Sequence, residues 1–183
     1  NDISLFYYTG HGASDGSLVT TNYEYLSPYT LASWLKQVPG NVVVILDSCY
    51  SGVAIGKSGS ALQSFNDSVV AAFDNAEMEV KNENAKGGPM STSKFRVLTA
   101  CGQYESSYAY SKYSIFTYYL ARGTGLSYGG NKLGAIYADS NRDRKITLKE
   151  CYNYTYSYCL GETGWRQHVR CYPEGSNLKL FQR

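Results

Sequence analysis

The sequence predicts an α/β fold built on a mainly parallel central sheet flanked by helices, and three observations carry that reading. Two apolar, strand-forming runs, Ile3 to Tyr8 and Val42 to Leu46, each lead into a short polar, glycine-containing segment. A helix-length segment lies between them, giving the β–helix–β spacing of a right-handed crossover. A third run, Phe95 to Ala100, reads as a further strand. The continuous apolar character of Val42 to Leu46, with no alternation, is that of a central parallel strand covered on both faces.

The elements follow in order. Residues 3–8 form the first strand. Ser27-Pro28 opens a helix, serine as N-cap and proline at the first helical position, running to Val38 before Pro39-Gly40 ends it. Residues 42–46 are the second strand. Phe65 to Val80 can be helical, with Val69, Val70, Phe73 and Ala76 on one face. Ser114 to Arg122 is a helix ended by Gly123, and Leu133 to Ala138 a short strand. Thr147 to Leu160 is a helix whose opening Thr147-Leu148-Lys149-Glu150 fits a capping box. Val169 to Tyr172 and Leu178 to Phe181 supply one or two terminal strands.

The chain has 183 residues, 43% hydrophobic and 17% charged, enough for one globular domain with a substantial core. A formal net charge of +2 gives no electrostatic case for nucleic acid or an acidic membrane surface, and no apolar run has the length of a membrane span. Five cysteines occur, at 49, 101, 151, 159 and 171. With Cys49 set aside, the other four either form two disulfides, Cys159 with Cys171 foremost, or stay reduced. Asn66 and Asn153 begin glycosylation sequons, relevant only to a secreting eukaryote. The 19 tyrosines, few lysines and spare cysteines point to a secreted or cell-surface bacterial protein, with the cytoplasm as the alternative.

The chemistry concentrates in Thr9-Gly10-His11-Gly12 and Asp47-Ser48-Cys49-Tyr50-Ser51-Gly52. Each places a reactive side chain where a buried strand ends, the edge at which open α/β sheets build their sites. A cysteine becomes a nucleophile when a base or cation favours its thiolate, and His11 is the partner the sequence offers to Cys49. Cys101, also at a strand end, is the rival nucleophile, and His168 reads as a surface or packing residue. Asp47 stands two positions before Cys49, so on a strand both side chains leave on one side. A carboxylate there either receives a basic substrate residue or braces the turn.

These two motifs, in this order, resemble the catalytic segments of the caspase and metacaspase superfamily of cysteine peptidases, with bacterial caspase-like peptidases the nearest in pattern. Leu98-Thr99-Ala100-Cys101, Glu105-Ser106-Ser107 and Phe116 to Leu120 resemble the start of that family's small subunit. The resemblance implies a caspase-like three-layer sandwich across one domain, 1–183. Residues 1–56 would be the catalytic His/Cys part, 57–94 a long connection open to processing, and 95–183 the small-subunit-like part. It implies a Cys49/His11 dyad, an oxyanion hole from the backbone N–H groups of Gly12 and Cys49, and a substrate pocket using Asp47 and Thr9. Family members with Asp at this position cut after Arg or Lys. Lys57, Lys81, Lys86 and Lys94 would then be candidate self-cleavage points. The family has two strands and a helix before the histidine strand, so an N-terminal fragment of the same protein is an expected partner beside a peptide or protein substrate. The alternatives are an inactive peptide-binding scaffold, or the same chemistry with Asn or Asp preceding the cut bond.

No cofactor is required by such a dyad, but calcium is possible. Asp139 to Glu150 matches a twelve-residue EF-hand loop with Asp139, Asn141, Asp143 and Glu150 as oxygen ligands. Arg144 stands where that loop needs glycine, and the capping box accounts for Thr147 and Glu150 without a metal.

Overall fold

The computed structural model describes residues 2–13, 17–49, 94–102, 105–172 and 175–182. The helix expected over 65–80 and most of the 57–94 connection lie outside them. The elements are β1 (Ile3–His11), β2 (Leu18–Val19), β3 (Tyr25–Leu26), α1 (Pro28–Lys36), β4 (Asn41–Cys49), β5 (Phe95–Thr99), α2 (Ile115–Gly123), β6 (Lys145–Thr147), α3 (Leu148–Glu162), β7 (Arg170–Tyr172) and β8 (Lys179–Gln182). The main sheet has the order β1-β4-β5-β7. β1, β4 and β5 are parallel and β7 is antiparallel to β5, so the fold is α/β with a mixed sheet flanked by helices.

β4 shows why its sequence has no alternation. Val42, Val44 and Leu46 pack with Leu31 and Ala32 of α1 and with Phe95 and Val97 of β5. Val43 and Ile45 face the other way, into a core with Leu98, with Ile115, Phe116 and Leu120 of α2, and with Leu148 and Cys151 of α3. A strand apolar on both faces is therefore buried on both, at the centre of two apolar layers. Among the described residues β1 lies at the edge of the sheet, and its Ile3 and Leu5 are exposed.

Local signals set the helix boundaries. Ser27 caps α1, its hydroxyl accepting from the Thr30 N–H at 3.1 Å, and Pro28 stands in the first turn. α1 stops at Lys36, two residues before the expected end. Gly40 then takes a φ of +76°, and a Cβ there would lie 2.4 Å from the Asp2 carbonyl oxygen. Glycine is required because the turn packs against the start of β1. Lys94 is anchored rather than free for cleavage: its ammonium donates to the Lys36 carbonyl, and its own carbonyl accepts from the Val42 N–H.

One expectation is corrected, and one pair of alternatives is decided. Leu133 to Ala138 is turn and bend, not strand. The segment is held by single bonds, from the Leu133 N–H to the Gly125 carbonyl and from the Ala138 N–H to the Gly123 carbonyl, with no partner strand among the described residues to form a ladder. Cys159 and Cys171 form no disulfide: Cys101, Cys151, Cys159 and Cys171 are all buried thiols. The last three sit in the α2–α3 core as small apolar residues, and burial pushes the Cys151 and Cys159 thiols up to about 12.

The capping box of α3 is present. One Glu150 carboxylate oxygen accepts from the Thr147 N–H and hydroxyl at 3.0 and 2.9 Å, and the other from the Ser140 N–H and hydroxyl at 3.2 and 2.9 Å. Burial alone would push this carboxyl up, but the Thr147, Ser140 and Asn141 hydrogen bonds together hold it below its ordinary value. A depressed carboxyl stabilises the fold above the ordinary glutamate range and loses that contribution as pH falls through the folded value. Glu150→Ala is expected to cost about 2 kcal/mol at neutral pH, lowering Tm by about 4–8 °C. Thermal melts against pH should show the gap to the unmodified protein closing under acid.

Candidate active site

Both motifs end at the carboxyl edge of the sheet, and parallel pairing sets them side by side. The register joins Thr9 with Asp47, Gly10 with Ser48, and His11 with Cys49. Adjacent strands run about 4.8 Å apart, so the backbones of His11 and Cys49 are immediate neighbours. His11 closes β1 and is exposed; Cys49 is the last residue of β4. Gly12 follows His11, buried, and bridges to Leu18.

The turn at His11 is pinned from below. The Tyr8 hydroxyl reaches the carbonyls of His11 and Val19, at 2.7 Å from each. A Cβ on Gly10 would stand 2.6 Å from that hydroxyl, so glycine is needed for the phenol to pass.

Asp47 is the centre of the polar structure. Its side chain lies on the α2 face of β4 and is 3% exposed. Oδ1 accepts from the Ser114 hydroxyl at 2.8 Å and the Ser107 hydroxyl at 3.4 Å, and Oδ2 accepts from the Thr117 hydroxyl. Thr9 adds a further side-chain hydrogen bond. The Tyr7 hydroxyl lies 2.6 Å from the Thr117 hydroxyl, extending the network outward. Ser114 is also the N-cap of α2, so the carboxylate meets the positive end of that helix. Among the described residues no cation pairs with Asp47. Burial pushes its carboxyl above the ordinary value, against the opposing pull of the hydroxyls.

His11, Asp47 and Thr9 line one cleft of about 360 Å³, whose other wall is Ser107 and the 109–114 loop. A smaller cavity of about 180 Å³, among Leu126, Ile136, Ile146 and Phe181, shares none of these residues. Ser107, Ser114 and Thr117 were not singled out for the site by sequence, although the run of hydroxyl residues after β5 is visible in it.

Cys101, the rival nucleophile, is buried, and its Sγ donates to the Glu105 carbonyl at 3.1 Å. His168 packs as expected of a structural residue: its N–H donates to Glu105 Oε2 at 2.6 Å and its Nδ1 bonds Oε1. The Asp139–Glu150 loop folds on itself. Asp139 accepts from the Asp143 and Arg144 N–H groups, Asn141 from that of Asp143, and Asp143 from that of Lys145. Arg144 takes a φ of +64°, the left-handed turn that glycine makes in calcium loops. Glu150 is turned to the α3 cap, and among the described residues no group of three or more His, Cys, Asp or Glu side chains is placed to hold a metal ion.

No family model matches the chain, and no curated protein matches it. A solved structure, protein GSU0716 from Geobacter sulfurreducens, aligns with 98% of this chain and 70% of its own at 16% identity and a TM-score of 0.49. No helix among the described residues is long and apolar enough to cross a membrane.

A buried carboxyl with a raised pKa binds its proton more tightly in the fold than in the unfolded chain. Stability is therefore lost as pH rises from the ordinary aspartate value of 3.8 through the folded value. Asp47→Asn keeps the shape and removes the charge. It is expected to raise Tm at neutral pH by about 2–4 °C, with the gain vanishing below pH 4, read by thermal melts of both proteins across pH.

Proposed function

We propose that this chain is a caspase-like cysteine endopeptidase that hydrolyses peptide bonds after Arg or Lys. The observation that carries the reading is Asp47, a desolvated carboxylate with no cation among the described residues, opening on the cleft that holds His11 and standing two residues before Cys49. A buried charge met only by dipoles is costly, and a substrate guanidinium or ammonium entering the cleft would supply the opposite charge. Arg would meet the carboxylate through two parallel hydrogen bonds, Lys through the carboxylate and surrounding hydroxyl oxygens.

In this mechanism His11 takes the proton of the Cys49 thiol, and the thiolate attacks the carbonyl carbon after the basic residue. The C–N bond breaks as His11 passes its proton to the leaving amine, leaving an acyl-enzyme. His11 then draws a proton from water, whose oxygen attacks the thioester and releases Cys49. The backbone N–H groups of Gly12 and Cys49 would receive the oxyanion. No step calls on a cofactor. Self-processing would fall in the 57–94 connection, at Lys57, Lys81 or Lys86 in preference to the anchored Lys94.

A second reading has one observation in its favour. The raised Asp47 carboxyl, if protonated, can donate a hydrogen bond to a neutral carboxamide, so an Asn-directed enzyme of the same chemistry fits the cleft.

Matched fluorogenic peptides ending in Arg, Lys, Asn or Asp separate these readings. Cleavage after Arg and Lys is expected, lost in Cys49→Ala and His11→Ala. In Asp47→Ala, kcat/KM for these peptides should fall about 100- to 1000-fold, the cost of removing one partner of a buried charge pair. Preference for Asn would favour the second reading. No turnover together with an unalkylated Cys49 would favour a peptide-binding scaffold.

A further inference from the structure

Two of the four hydroxyls that meet Asp47, those of Ser107 and Ser114, come from the loop between β5 and α2, so whatever fixes that loop shapes the pocket. Its base is held by Gln167, a fully buried side chain that accepts from the Tyr108 N–H at 2.9 Å and donates to the Ala100 carbonyl at 2.9 Å. From there the chain makes a narrow hairpin. The Ile115 N–H donates to the Tyr108 carbonyl, the Tyr110 N–H to the Tyr113 carbonyl, and Ala109 bridges to Ser114. Ser107 enters this hairpin and Ser114 leaves it, and both donate to the same oxygen of Asp47.

Tyr110, on the hairpin, lines the cleft. Its hydroxyl donates to Glu162 Oε1. The other carboxylate oxygen accepts from the Tyr119 hydroxyl of α2 at 3.2 Å. One carboxylate thus ties the hairpin to the helix that carries Ser114 and Thr117. Burial, then the Glu162 carboxylate, pushes the Tyr110 phenol well above its ordinary value, so Tyr110 remains the donor. Glu162 ends α3, where the helix dipole disfavours an acid. Its placement does not serve the helix, whereas its two tyrosine bonds serve the pocket wall.

We propose that Glu162 and Tyr110 form a latch that sets the reach of Ser107 and Ser114 onto Asp47, making Glu162 a positioning residue for recognition of the basic substrate residue. The inference rests on the function proposed above and extends it: affinity for a peptide with Arg or Lys before the cut bond depends on a carboxylate outside the cleft.

The test is steady-state kinetics of the full chain on Arg- and Lys-ended peptides, with Tyr110→Phe, Glu162→Ala, Glu162→Gln and the Tyr110→Phe/Glu162→Ala double variant. Each of the first two is expected to raise KM about tenfold with kcat held within about twofold, the size of one charge-assisted hydrogen bond. The double variant should be little worse than Glu162→Ala alone, because that variant already removes the Tyr110 bond together with the Tyr119 bond. Glu162→Gln, which keeps an acceptor oxygen, should recover part of the loss. Alkylation of Cys49 by iodoacetamide, which has no group for the pocket, should proceed at one rate in all. Unchanged KM in both single variants overturns the inference while leaving the function standing. So does a fall in kcat accompanied by slowed alkylation, which marks general damage to the site. Failure of the unmodified protein to cut after Arg or Lys overturns the functional reading, and this inference with it.

Discussion

The parallel pairing of β1 with β4 is the constraint on which the site depends. It runs without a slip from Ile3 with Asn41 to His11 with Cys49. A shift of one residue would turn every side chain of β1 to the other face of the sheet. Thr9 would leave Asp47, and Tyr7 would lose Thr117. The register is secured at one end by Gly40, whose turn accommodates the Asp2 carbonyl, and at the other by the side-chain hydrogen bond of Thr9 to Asp47. The two-sided burial of β4 makes it the fixed member against which β1 is placed.

On this frame the protein keeps a carboxylate in an expensive position. Asp47 is desolvated, met by hydroxyl donors and a helix N-terminus, and lacks a cation among the described residues. Hydroxyls soften the cost of burying a charge without cancelling it, since they bring dipoles and no net positive charge. A structural role alone would be met as well by asparagine. The arrangement makes sense where the missing charge arrives with a ligand, so that stability given up in the free protein returns as binding selectivity.

Much of this was legible from the chain, and the limits have physical causes. β4 was visible in its five successive apolar residues, α1 in Ser27-Pro28, and the start of α3 in Thr147 and Glu150, because each depends on contacts a few residues apart. His11, Cys49 and Asp47 stood out because their motifs end strands. The cage around Asp47 did not: Ser107, Ser114 and Thr117 lie 60, 67 and 70 positions away, and nothing local marks a serine as a ligand of a distant carboxylate. Ser114 was legible only as a helix cap, a role it holds as well. Residues 133–138 misled because an apolar segment becomes a strand only where a neighbour offers a ladder. Cys159 and Cys171 stayed open between pairing and reduced thiols because proximity in sequence says nothing of which core positions two thiols occupy.

The central claim is that the charge on the substrate residue, not its shape, is what Asp47 reads. The direct measurement is the rate at which Cys49 is alkylated by two peptidyl chloromethyl ketones that differ only in carrying arginine or its neutral isostere citrulline before the reactive group. The account predicts labelling about 100-fold or more faster with arginine, and collapse of that difference in Asp47→Asn. Equal rates for the two reagents in the unmodified protein would contradict it.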